Sequence, residues 1–295
     1  MKNIIFQLFA LSIFLSFYQA PILGQEYLSL YPDPVLADSV PRIFAPGIIS
    51  KELAHDEGIA FSPNGKQIFF TRSIADEEGE RQSFLLYLEK KGDKWSKPAK
   101  PSFASDVNES DPSFSRDGQV LYFFSERRKP GISPYIGEIW QVVRSNGNWG
   151  KPRYNENILN ASWINSLSST SDGTLFFSSY RDNKIGIYYS ELKNGKYQNP
   201  VFLPEEVNSI PGATNPFISA DGETLLFEGQ ALGYGNTELY ISFKTSEGHW
   251  TPGRKLGKTV NKTLTETTPA LSPDGKYLFF TREGDIYWVR IEYVF

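Results

Sequence analysis

Apolar and polar positions along this chain recur in units of roughly fifty residues, and no stretch of helical period interrupts them. Five segments share an apolar run, a hydroxyl residue, an Asp-Gly or Asn-Gly turn and a second apolar run. They are Phe61-Ser62-Pro63-Asn64-Gly65, Phe114-Ser115-Arg116-Asp117-Gly118, Ser169-Thr170-Ser171-Asp172-Gly173, Ile218-Ser219-Ala220-Asp221-Gly222 and Leu271-Ser272-Pro273-Asp274-Gly275. The turn glycines Gly65, Gly118, Gly173, Gly222 and Gly275 lie 53, 55, 49 and 53 residues apart. Asp-Gly and Asn-Gly between apolar runs are strong hairpin signals, because both residues tolerate positive φ. The turn therefore joins a first strand to a second.

The second strands, such as Ile68-Phe69-Phe70 and Leu278-Phe279-Phe280, are continuously apolar, where a sheet wetted on one side would alternate. Both of their faces are expected to be buried. A third strand rich in aromatic and aliphatic residues follows, then a glycine turn and an aromatic with proline just beyond it: Trp95 and Pro98, Trp149 and Pro152, Tyr197 and Pro200, Trp250 and Pro252. Proline suits an outer edge strand, where a missing N–H costs little. Four short strands per unit, buried on both faces, predict an all-β fold: a β-propeller of about five four-stranded blades. The fifth unit ends at Phe295 after its third strand. Its outer strand is expected from the N-terminal segment at residues 42–50, which has no blade of its own, closing the ring and leaving no open edge.

Ahead of that segment the pattern changes. Lys2 precedes an apolar stretch from Ile4 to Phe17, with Ala20, Pro21 and Gly24 beyond it, which reads as a secretory signal peptide over residues 1–24. Residues 25–41, with Pro32, Pro34 and Pro41, read as an extended lead-in, and 42–295 as the propeller. A periplasmic or secreted protein with no membrane span in its mature form is expected. The absence of cysteine rules out disulfides and a lipidated cysteine anchor. A net charge of −4 gives no basic surface for a phosphate backbone, which argues against nucleic acid.

The turns Ser272-Pro273-Asp274-Gly275-Lys276 and Ser62-Pro63-Asn64-Gly65-Lys66 resemble the WD-like repeats of TolB-like propellers. The Gly-x-Trp-x-x-Pro feature and the recurrent Asn108, Asn160, Asn208 and Asn261 are similar to the version found in envelope proteins of Bacteroidetes-type bacteria. The resemblance implies a propeller and a place in the cell envelope.

In each blade the loops before strand one and after strand two share one face, which is the expected binding surface. Its candidate ligand-binding residues are His55, Asp56, Glu57, Arg72, Glu109, Asp111, Arg127, Asn165, Arg181, Asn215, Glu266 and Arg282. A ring of carboxylates could hold calcium, a cation that takes oxygen ligands. The alternative is that these acids cap strand starts. His55 is a loop residue or a ligand, and His249 sits in a turn. The arginines could take an acidic ligand or bridge the acids of adjacent blades. The repeated Asn-x-Ser/Thr matches a glycosylation pattern, but turn-forming asparagine in a repeated unit accounts for it. Nothing resembles a nucleophile elbow or a phosphate loop. The reading that follows is a binding module for an envelope or extracellular protein or glycan. The alternative is a polysaccharide-acting lyase or hydrolase that uses acids and arginines at the channel mouth.

Overall fold

A computed structural model describes residues 30–128, 138–154, 163–230, 236–262 and 265–295. The signal peptide, the start of the lead-in and Asn160 lie outside the described residues. Five antiparallel sheets stand as blades around an axis, each with strand one innermost. Blade I comprises His55–Phe61, Gln67–Ala75, Arg81–Lys91 and Lys94–Trp95. Blade II comprises Glu109–Phe114, Val120–Ser125, Glu138–Ser145 and Arg153–Tyr154. Blade III comprises Trp163–Ser169, Leu175–Arg181, Lys184–Ser190 and Val201–Phe202. Blade IV comprises Thr214–Ile218, Thr224–Gln230, Thr237–Phe243 and Arg254–Lys255. Blade V takes Glu266–Leu271, Tyr277–Arg282 and Asp285–Arg290 from the C-terminal end of the chain and Arg42–Ile43 from the N-terminal region.

The core is divided among five apolar clusters, one between each pair of neighbouring blades. Strand two supplies both sides because its side chains alternate. Phe70 enters the cluster against blade V while Phe69 enters the one against blade II. Phe69, Phe70, Phe123, Phe177, Phe227, Phe279 and Phe280 are all fully buried, which accounts for the unbroken apolar runs.

The closing strand is present and shorter than expected. Arg42 and Ile43 pair with Trp288 and Tyr287, and the Phe44 N–H donates to Ile286 O at 2.7 Å. The chain then leaves the sheet at Ala45, which has φ of 46°, so the rest of 42–50 is a turn and not strand. Phe44 and Ile49 are nonetheless fully buried. Nor is the described part of the lead-in passive. Tyr31 is buried and packs edge-on against Phe44, Phe61, Tyr277 and Trp288, with centroids 5.2–6.3 Å away. The Asp33 carboxylate accepts from the Val35 and Ala45 N–H groups at 2.9 and 2.8 Å, fixing the start of the turn.

Candidate functional site: the channel and its two mouths

Strand one of every blade carries a bulge, placed by the register shifts after Glu57, Ser110, Asn165, Thr214 and Thr267. The residue at the bend is left-handed in each case: Gly58, Asp111, Ser166, Asn215 and Thr268, with φ between 45° and 59°. Proline follows it in three blades, as Pro112, Pro216 and Pro269. An inner edge strand with no neighbour across the channel tolerates the missing N–H, and the bulge turns the bend residue toward the axis. These five residues form a ring around an axial cavity of about 350 Å³.

The ring is held by hydroxyls and a carboxylate of strand two in the preceding blade. Asp111 N–H donates to Thr71 Oγ1 at 3.1 Å, Asn215 N–H to Ser178 Oγ at 2.8 Å, and Thr268 N–H to Glu228 Oε2 at 3.1 Å. Glu228 also accepts from Asn215 Nδ2 at 2.7 Å and Thr214 Oγ1 at 3.1 Å. Asp111 is partly buried, and part of its surface opens on the channel. Burial pushes its carboxyl up to about 6, with smaller contributions from Glu57 and Glu228. Burial also raises Glu228, with Glu57 adding to it. Glu57, Asp111 and Glu228 therefore form an electrostatically coupled acidic group at the loop-face mouth. His55 stands beside them, its Nε2 3.4 Å from Glu57 Oε2, and that contact raises its pKa. Among the described residues no three His, Cys, Asp or Glu side chains are grouped to hold a metal ion.

The remaining acids of the expected set, Asp56, Glu109 and Glu266, are engaged by arginines within their blades. Arg72 Nε donates to Asp56 Oδ1 at 2.7 Å and its Nη2 to Ile49 O. Arg127 Nε donates to Glu109 Oε1 at 2.7 Å and its Nη2 to Phe103 O at 2.5 Å. Arg282 Nε donates to Glu266 Oε1 at 2.8 Å and its Nη2 to Val260 O at 2.5 Å. All three acids are almost fully buried. Each guanidinium also lies over the strand-two phenylalanine of its blade, 5.0–5.6 Å from the ring of Phe70, Phe123 or Phe280. The expectation that these arginines bridge acids of adjacent blades is corrected: each holds the acid of its own blade and a carbonyl of the incoming linker. The geometry follows from the planar fork, which satisfies a carboxylate and a carbonyl together. Burial raises Asp56 and Glu266 against the pull of their arginines. Arg181 stacks over Phe177 at 5.7 Å. The side chain of Asn165 lies outside the described residues.

Among the described residues, Asn108, Asn208 and Asn261 tie their linkers to the blade each leaves. Asn208 Oδ1 accepts from Ile187 N–H while Nδ2 donates to Ile187 O and Leu203 O, all at 2.8–3.0 Å. Asn261 repeats the pattern on Leu239 and Leu256, and Asn108 accepts from Ser83 N–H. An amide so engaged explains why the residue repeats.

Two residues escaped the sequence reading. Glu228 occupies the strand-two position that is Thr71, Phe124, Ser178 or Thr281 in the other blades, and its charge at the end of an apolar run was the available signal. Arg116 occupies the second position of the turn, where the others have Pro63, Ser171, Ala220 and Pro273.

These features define a five-bladed β-propeller whose axial channel is acidic at the loop face. No protein-family model matches the sequence, and no curated protein matches it significantly. Solved structures share the fold. The catalytic domain of a GH62 α-L-arabinofuranosidase from Coprinopsis cinerea has 12% identity and a TM-score of 0.52, covering 86% of this chain and 98% of its own. A thermostable family-43 glycoside hydrolase has 10% identity and a TM-score of 0.50, covering 81% and 89%. A gluconolactonase from Xanthomonas campestris has 13% identity and a TM-score of 0.49, covering 87% and 96%. The likeness to the two glycoside hydrolases supports the propeller fold and leaves the activity to the site. Among the described residues no helix is long and apolar enough to cross a membrane.

Proposed function

We propose that this protein is an exported glycan-binding module whose ligand lies over the loop-face mouth of the channel. One observation carries the reading. The arginines Arg72, Arg127 and Arg282 are consumed by the blade clamps, whereas Glu57, Asp111 and Asn215 keep part of their surface open at the mouth. A mouth presenting carboxylates and an amide suits a ligand rich in hydroxyl donors, and suits a carboxylated or phosphorylated one poorly. The charged and apolar start of the chain supports export. The Ser-Pro-Asp-Gly-Lys turn at 272–276 and the Ser-Pro-Asn-Gly-Lys turn at 62–66 support a TolB-like kinship and with it a partner in the envelope or outside the cell.

A second reading, hydrolysis of a neutral polysaccharide, is favoured by Asp111. A carboxyl pushed up to about 6 beside two further acids gives the split between proton donor and carboxylate base that glycoside hydrolysis uses. The scaffold is shared with the GH62 and family-43 enzymes. In this reading Asp111 protonates the leaving oxygen and Glu57 activates water.

The two are separated by titrating the purified chain against neutral glycans while assaying release of reducing ends, with Glu57→Gln and Asp111→Asn beside the wild type. Binding weakened about tenfold by either change, without release, supports the module. Release that vanishes in Asp111→Asn replaces it with the hydrolase. A wild type that neither binds nor releases overturns both.

A further inference from the structure

The second position of each hairpin turn points to the other end of the channel. Pro63, Arg116, Ser171, Ala220 and Pro273 all line the axial cavity and form its rim at the tight-turn face. Four of the five are neutral. The fifth, Arg116, reaches across two blades: its Nε donates to Ser169 O of blade III at 2.6 Å, its Nη2 to Ile218 O of blade IV, and its guanidinium lies 5.4 Å from the ring of Phe217. These partners are two carbonyls and an aromatic ring, which orient a cation without neutralising it. Among the described residues no carboxylate lies within ion-pair distance of it, Asp221 being the one acid whose charge is felt. The contrast with Arg72, Arg127 and Arg282, each paired with a buried acid, is direct.

A partly buried cation with no carboxylate in ion-pair contact is costly, and in a cavity the usual remedy is an anion brought by a ligand. The surrounding wall is mixed: Leu167, Phe217 and Leu271 line the same space with Ser113, while the hydroxyls of Ser115, Ser168 and Ser169 are bonded within the protein. At about 350 Å³ the cavity falls at the low end of small-molecule sites, roughly 300–1,000 Å³, so it fits one sugar-sized molecule. Arg116 lies five residues beyond Asp111 on the same strand and turn, at most about 16 Å away. The channel thus has an acidic end and a cationic end.

We infer that the turn-face end of the channel is a second binding site, in which Arg116, with Ser113 on the wall beside it, holds a small hydroxylated carboxylate of sugar-acid size. It is the turn-face end of the same axial cavity that Asp111 and Asn215 encircle, and it does not depend on a neutral glycan being bound over the loop-face mouth. The probe is sodium D-glucuronate, with D-glucose at matched ionic strength as the uncharged control, titrated into the full chain by calorimetry and thermal shift. Glucuronate is expected to bind and raise Tm, and glucose to do neither. Arg116→Gln should weaken glucuronate by about tenfold or more, the loss expected for a charge-assisted pair of hydrogen bonds. Because Arg116 also ties blades III and IV, Ser113→Leu is the companion variant. It fills the cavity with Arg116 left in place and should abolish binding in a protein with wild-type circular dichroism. No binding by the wild type overturns the site. So does equal binding of glucose, or undiminished binding by folded Ser113→Leu.

Discussion

Blades I, II and V enter strand one through a buried acid gripped by an arginine; blades III and IV have Ile164 and Ala213 at the same place. The difference shows two ways of anchoring a linker to the blade that follows it. In the clamped blades a guanidinium joins the strand-one acid to the carbonyl of Ile49, Phe103 or Val260. In blade IV the linker makes a one-turn helix at Glu205–Asn208 and packs Leu203, Val207 and Ala213 into the apolar cluster against blade III. One solution is polar and directional, the other is burial of apolar surface. Both coexist in one ring because each linker meets only its own pair of blades.

The largest test of this contrast falls on blade V, where clasp and clamp meet. Deleting residues 25–50 removes the outer strand, the buried Phe44 and Ile49, and the Ile49 carbonyl that Arg72 holds. Loss of soluble folded protein is expected, read by gel filtration, whereas a chain starting at Leu30 keeps Tyr31 in place and should elute and melt like the full length. Next in size is Arg282→Ala. It leaves Glu266 buried and unpaired, at a cost of about 3–5 kcal/mol, or roughly 10 °C in Tm. The double variant Arg282→Leu with Glu266→Leu should recover much of that loss; equal melting of the single and double variants would show that the clamp is not an electrostatic unit.

Asparagine locks sharpen the comparison further. Asn208→Ala frees a linker that enters an unclamped blade, and Asn261→Ala one that Arg282 still holds. Each loses three hydrogen bonds, about 2 kcal/mol after exchange with water, and urea melts should rank Asn208→Ala as the more damaging. The smallest effect concerns the ring, where clamped blade II has Asp111 and unclamped blade IV has Asn215. With its carboxyl raised to about 6 from an ordinary 3.8, folded Asp111 holds its proton over a range where the unfolded chain has released it. Its contribution is therefore most favourable below about pH 4 and is lost as pH climbs through about 6. Asp111→Asn should melt higher than wild type at pH 7.5, by about 1–2 kcal/mol once screening by channel water is allowed for. The gap should close by pH 4, and a constant gap across that range would place the carboxyl near its ordinary value.

Much of this was open to reading from the residues. The hairpin turns, the doubly apolar second strands and the missing fifth outer strand are local features, set by φ preference and by hydrophobic run length. They lead to five blades and to a closing strand near Ile43. The reach of that strand was not legible, because Ile43 to Ile49 is apolar enough for strand or buried turn. Contacts with Trp288 and Tyr31 decide between them.

The division at the site has the same physical basis. Sequence alone placed carboxylates and arginines near one face, since both fall at fixed distances from a repeated turn. Which of them face the channel was decided by the bulge. It turns Asp111 and Asn215 inward at φ of 52° and 49° and leaves Asp56, Glu109 and Glu266 two positions earlier, against their arginines. A bulge shifts register by one residue, and in a strand one residue exchanges one face for the other. Pairing preferences between a carboxylate and a guanidinium are likewise nonlocal: the partner of Arg72 is one of several acids until the sheet brings Asp56 to 2.7 Å. Order along the chain thus fixed the number of blades and the residues available to a site, and only the packed ring decided which charges were neutralised and which, like Arg116 and Asp111, were left facing the channel.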